Sequence, residues 1–180
     1  MRESSMLPTP YRIRKARLDD LPLLAAVETE AGKLFAGVGL GGITDGDSTS
    51  LQDFTECHAA GLLWVAVDGD DKPVGFAYVE IVGGQPHLDE LDVHPDHGRR
   101  GIGAALVHSV IDWARSNGYA GLTLTTFRDV PWNMPFYAKL GFRVLADSEL
   151  KPELRAIVDD ETRRGLPPEK RVVMHHDLAD

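Results

Sequence analysis

The segment Arg99-Arg100-Gly101-Ile102-Gly103-Ala104 places two cationic side chains, two glycines and a small residue where a strand gives way to a helix. Such a junction can hold an anion. The first turn of a helix leaves backbone N–H groups without intrahelical partners and carries the positive end of the macrodipole. Glycines at 101 and 103 remove side chains that would keep a bulky anion away, and Arg99 and Arg100 add charge. A diphosphate fits that description. A Rossmann fingerprint needs a third glycine and a P-loop needs Gly-Lys-Ser/Thr; this segment has neither. The plain alternative is a helix start with small residues and two surface arginines.

The elements around this junction can be read from periodicity. His87–Val93 alternates as a strand and ends at His94-Pro95. From Gly101 onward, Ile102, Leu106, Val110 and Trp113 recur at helical spacing with Ala105 and Ser109, and Asn117-Gly118 is a stop signal. Upstream, Leu62–Val67 and Val74–Val82 flank Asp68-Gly69-Asp70-Asp71-Lys72-Pro73 and predict a β-hairpin. Arg12–Leu18 alternates like an edge strand. Asp19 or Asp20 is placed to cap a helix with Leu23, Leu24, Val27 and Leu34 on its apolar side. A short helix is expected over Ser50–Ala60. The glycines between, Gly37 to Gly42, follow a helix rather than a strand, so they read as a loop and not a nucleotide site. Downstream, Gly121–Thr126 reads as a strand, Trp132–Phe142 as a short helix with a glycine cap, Glu149–Arg164 as a charged helix and Arg171–Met174 as a last strand. Residues 1–10 read as a flexible leader and 11–180 as one domain.

Composition bounds the partners. The 180 residues carry a net charge of −9, which argues against nucleic acid or an anionic membrane surface, since both call for a basic footprint. No 18-residue apolar run and no export signal is apparent, and the one cysteine, Cys57, suits a reducing compartment; a cytoplasmic location is expected. His94-x-x-His97 and the adjacent His175-His176 are not completed to a known ligand set, so no metal is expected.

Leu88-Asp89-Glu90-Leu91-Asp92-Val93-His94-Pro95 followed by Arg99–Ala104 resembles the central motif of the GNAT superfamily of N-acetyltransferases, Gln/Arg-x-x-Gly-x-Gly/Ala. The Gln/Arg position of that motif falls on Gly98. Asn133, Tyr137 and Gly141-Phe142 resemble the family's Asn…Tyr…Gly-Phe segment, with a spacing of four between Asn133 and Tyr137 that is shorter than in many members. The resemblance implies an α/β fold. Its mixed, mostly antiparallel twisted sheet would have six to seven strands flanked by helices, with the strands before and after the cofactor helix parallel and splayed.

The resemblance also implies acetyl-CoA as co-substrate. The backbone of Arg99, Arg100, Gly101, Ile102, Gly103 and Ala104 would hold its diphosphate. Leu91, Asp92 and Val93 would pair with the pantetheine arm, where Asn133 and Phe136 would also lie, and Tyr137 would protonate the departing thiolate. Tyr137 could equally be a core aromatic. An alkyl ammonium of pKa about 10 is rarely neutral at pH 7, so a base or water relay helps the attack. Family members that use a base on this strand carry it at position 87 or 89. His87 has the better unperturbed pKa, with Asp89 and then Glu90 behind it; the alternative is a partly exposed histidine at a strand start. Trp132 and Phe127 are candidates for the acceptor wall or for the core, and Asp89 for acceptor contact. The implied acceptor is an amine of a small molecule or peptide, and homodimers are common in the family. Transfer of a different acyl group, and a non-catalytic acyl-CoA sensor, are the competing readings.

Overall fold

A computed structural model of the protein describes residues 7–41 and 48–179. Gly42 of the glycine-rich stretch and residues 1–6 of the expected leader lie outside the described residues. The strands are β1 (Arg12–Lys15), β2 (Leu63–Val67), β3 (Pro73–Val82), β4 (Gln85–Val93), β5 (Gly121–Phe127), β6 (Arg143–Val144) and β7 (Arg171–Asp177). The longer helices among the described residues are α1 (Leu21–Ala36), α2 (Leu51–Ala59), α3 (Ile102–Ser116), α4 (Met134–Lys139) and α5 (Pro152–Arg163). The strands form a mixed sheet in the order β1-β2-β3-β4-β5-β7-β6, mostly antiparallel with β4 and β5 parallel. Residues up to Val79 together with Glu90–Val110 make one compact unit, and Glu80–Asp89 together with Ile111 onward make a second.

In the first unit, β1 and β2 pair antiparallel from Arg12↔Val67 to Lys15↔Trp64, and β2 continues onto β3 with Leu63↔Tyr78 and Val65↔Phe76. Alternation sends Leu63, Val65, Phe76 and Tyr78 to one face, where Leu21, Leu24 and Val27 of α1 and Phe54 of α2 cover them. The rings of Phe54 and Phe76 meet edge to face at 5.2 Å. Each such side chain stabilises the fold by about 1.5–3 kcal/mol on burial. Leu23 and Leu34, expected on this face, are exposed instead, and Leu21 and Ala31 take the inward positions. Ser50 caps α2, accepting the amide of Asp53 at 3.1 Å. The β2–β3 turn places Asp71 at a φ of 62°, where its carboxylate binds Arg12, Arg14 and Arg17 at 2.6–3.0 Å.

In the second unit, β4 and β5 register at His87↔Thr123 and Leu88↔Leu124. β7 lies against β5 from Gly121↔Asp177 to Phe127↔Arg171, so the last strand enters between β5 and β6. The expected charged helix is α5. Its Glu161 is buried and binds Arg171 through two contacts, Nε to Oε2 at 3.0 Å and Nη2 to Oε1 at 2.7 Å, while Arg171 also donates to Thr125. Helix α3 runs from the first unit into the second: Ile102, Leu106, Val107 and Val110 are buried in its first-unit part, and Ile111 and Ala114 in its second-unit part. Trp113, expected in that stripe, sits at its margin beside Tyr119.

Candidate functional site

The loop from β4 to α3 belongs to the first unit. Its sharpness comes from two residues with left-handed backbone: Arg99 at a φ of 59° and Gly101 at 79°. Glycine reaches that region without penalty, whereas an arginine there is uncommon. Arg99, Arg100 and Gly101 are exposed, and a Cβ added at Gly101 would meet no atom within 4 Å. The turn is therefore open. Ala105 N bonds Gly101 O at 3.0 Å, so the amides of Ile102, Gly103 and Ala104 precede the first bond that α3 itself supplies. Gly103 and Ala104 are half-buried, while the Ile102 side chain is fully inside.

The arginine side chains are a separate matter. Arg100 folds back, donating to Tyr11 Oη at 2.9 Å, and Tyr11 Oη also bonds His97 Nδ1 at 2.9 Å. At Gly98, where the family motif has Gln or Arg, an added Cβ would stand 3.2 Å from Pro95 O, a tight contact that Pro95 would have to relieve by a small shift. Leu91, Asp92 and Val93 are half-buried; Asp92 O is so close to Gly75 that a Cβ at position 75 would meet it at 2.9 Å. Burial, and then the neighbouring Glu28 carboxylate, push the Asp92 carboxyl up to about 8. Glu28 in turn accepts from Thr49 N at 2.8 Å and Thr49 Oγ1 at 2.9 Å. Sequence reading took Asp92 for its backbone and missed this carboxyl pair, whose members are 64 residues apart.

The remaining candidates lie in the second unit. Asn133 precedes α4 and its carbonyl accepts the Tyr137 amide at 3.0 Å, so the four-residue spacing is one helical turn. Asn133 Nδ2 donates to Thr126 Oγ1 at 2.7 Å, and its Oδ1 is buried with no hydrogen-bond partner. A buried acceptor left so is costly and is an available contact for a ligand N–H. Tyr137 is 8% exposed, with its ring centroid 5.0 Å from Phe136 and 5.7 Å from Phe142. Gly141, at a φ of 91°, ends this segment. Trp132 is exposed, whereas Phe127 is buried with the Arg171 guanidinium 4.6 Å from its ring.

His87 is 1% exposed, which replaces the partly exposed histidine of the alternative reading, and its Nδ1 lies 2.8 Å from Thr123 Oγ1. Burial lowers its pKa, outweighing Asp89 and Glu161, so the ring is neutral at pH 7. Asp89 is exposed and Glu90 half-buried. Nothing in the β5 pattern Leu-Thr-Leu-Thr announced that Thr123 would face a histidine, because strand register is a property of the pairing. Among the described residues, no three His, Cys, Asp or Glu side chains gather as a metal site.

A mixed sheet whose parallel pair is joined by an amide-rich turn and a helix defines an α/β fold suited to holding an anion at that turn. The sequence profile of the acetyltransferase (GNAT) family matches residues 23–142, and the chain belongs to this family. It is 37% identical over 93 residues to a mycothiol acetyltransferase of Nocardiopsis dassonvillei, covering 51% of this chain and 27% of that one. It is 38% identical over 88 residues to the peptidyl-lysine N-acetyltransferase YjaB of Salmonella typhimurium, covering 49% and 54%. The matches thus span roughly a quarter to a half of these relatives' own lengths. Among solved structures, the PaiA N-acetyltransferase from Thermoplasma acidophilum in complex with coenzyme A shares the fold, with a TM-score of 0.70 at 18% identity over 94% of this chain and 99% of that one. Rv2747 from Mycobacterium tuberculosis, in complex with CoA and NLQ, gives 0.67 at 22% identity over 93% and 99%.

Proposed function

We propose that this protein is an acetyl-CoA-dependent N-acetyltransferase that moves an acetyl group to an amine of a small molecule or peptide. The observation that carries the reading is the exposed turn at Arg99–Gly101, doubly left-handed and directly ahead of the unpaired amides of α3. Family membership supports it, as do structures of the same fold holding coenzyme A. Within the first unit, the backbone amides from Arg99 to Ala104 suit the cofactor's diphosphate and Leu91–Val93 its pantetheine arm; within the second, the orphaned Asn133 Oδ1 suits an amide N–H.

The chemistry is direct transfer. The amine attacks the thioester carbonyl, whose developing oxyanion a backbone N–H near Leu91 stabilises, and the tetrahedral intermediate expels CoA thiolate. Tyr137 gives that thiolate a proton. His87 is the base, and its burial requires the acceptor's proton to reach it through water or after local opening; exposed Asp89 is the second candidate. Trp132, exposed ahead of α4, lines the acceptor side. The reaction would take place in the cytoplasm. Among the described residues, no helix is long and apolar enough to cross a membrane.

Thiol release from acetyl-CoA against a panel of small-molecule and peptidyl amines tests the reading, alongside a calorimetric CoA titration. Amine-dependent thiol release with acetylated product by mass spectrometry is expected. CoA binding with no turnover on any amine would favour an acyl-CoA sensor, and absence of CoA binding would overturn both.

A further inference from the structure

His87 is buried in a way that singles out one of its ring nitrogens. It faces Thr123 across the parallel β4–β5 pair, in direct register, and the two side chains meet at 2.8 Å between Nδ1 and Oγ1. Thr123 is itself 7% exposed. The threonine hydroxyl has a second neighbour, the Pro86 carbonyl, at 3.5 Å. A carbonyl can only accept. With its proton directed to Pro86 O, the hydroxyl presents a lone pair to the histidine, and Nδ1 must then be the nitrogen that carries hydrogen. A neutral imidazole has one N–H. Nε2 is left with the free lone pair.

We propose that Thr123 is a positioning residue for the transfer reaction, accepting the Nδ1–H of His87 and so fixing the tautomer in which Nε2 can take the acceptor's proton. The step balances simply. The ammonium N–H bond breaks, a proton reaches Nε2 through water or on local opening to give the imidazolium, and the freed amine lone pair attacks the thioester. Nδ1–H stays on Thr123 throughout. The charged and titratable groups facing the ring are Asp89 on its own strand, Glu161 on α5 and Arg171 on β7, with His175 in register beyond Thr123. Arg171 is itself bound by Glu161, and Thr123 is a side chain in hydrogen-bond contact with the ring. This inference rests on His87 being the base, so its test separates the two ideas.

The variants are Thr123→Val, which keeps the shape and removes the hydroxyl, and Thr123→Ser, which keeps the hydroxyl. Two-bond 15N–1H correlation spectra of the wild-type imidazole at pH 7.5 should show protonated Nδ1 and bare Nε2, and Thr123→Val should lose that pattern while Thr123→Ser retains it. In kinetics, Thr123→Val should lower kcat about tenfold with KM for acetyl-CoA unchanged. The acid limb of its kcat/KM profile should move down by roughly half a pH unit to one unit, because the imidazolium loses an acceptor. Thr123→Ser should restore both. A wild-type Nε2–H tautomer overturns the proposal whatever the activity, as does a Thr123→Ser variant as impaired as Thr123→Val. The expected tautomer together with a His87→Ala variant of undiminished turnover would instead remove His87 as the base, and the proposal with it.

Discussion

Gly101 and Gly118 stand at the two ends of α3 and offer a matched pair of perturbations. Both have left-handed backbone, with φ of 79° and 76°, and at both a Cβ would meet no atom within 4 Å. Replacing either by alanine therefore costs only conformational strain, about 1–2 kcal/mol. For a chain of this size that lowers Tm by roughly 2–8 °C, similarly in the two variants. Their consequences for CoA should differ. The methyl at 101 would project into the open space where the diphosphate is proposed to sit, and one lost or lengthened amide contact of about 1.4 kcal/mol weakens binding tenfold. Calorimetric titration with CoA, with thermal unfolding on the same samples, reads both quantities. Gly101→Ala should bind CoA at least tenfold more weakly and Gly118→Ala should bind as the wild type does. Equal CoA affinity in the two variants, at equal loss of Tm, would show that the anion is held elsewhere.

Three further outcomes follow from the same geometry. Gly103→Glu should abolish CoA binding, as the calorimeter reads it, while circular dichroism stays that of the wild type. Tyr137→Phe keeps the ring packed between Phe136 and Phe142, so turnover should fall about tenfold or more with CoA affinity nearly unchanged, measured by thiol release and titration. Asp92 holds its proton up to about pH 8 in the folded chain, whereas an unfolded aspartate loses it near 3.9. Its contribution to stability is fully present below pH 4 and is lost as pH rises through about 8. Urea unfolding between pH 5 and 9 should therefore show Asp92→Asn more stable than wild type above pH 7, with a flatter pH dependence.

Much of the frame was legible because its signals are local. The Asp68–Pro73 turn, the short helix after Ser50 and the glycine-marked ends of α3 each rest on residues close in sequence, and each appears within a residue or two of its expected bounds. The parallel pair around α3 came from the family resemblance and is present as β4 and β5. Long-range pairing was less accessible. Nothing in Arg171–Met174 says that it enters between β5 and β6, and the α1 stripe could not be oriented without knowing what β2 and β3 present to it. In the candidate site, the glycine-marked turn was readable from residue types, whereas Asn133 and Tyr137 came from the family resemblance. The burial of His87, its contact with Thr123 and the Asp92–Glu28 pair depend on register and packing, which composition does not encode.

The Glu161–Arg171 pair constrains how this protein can change over time. Each charge is tolerable inside the second unit only because the other neutralises it, and removing one partner of such a buried pair typically costs about 3–5 kcal/mol. Neither position can drift alone. Substitution must be concerted, and a chimera that borrows α5 from another acetyltransferase should carry the borrowed segment through position 171, so that donor helix and donor strand arrive with their charges already matched.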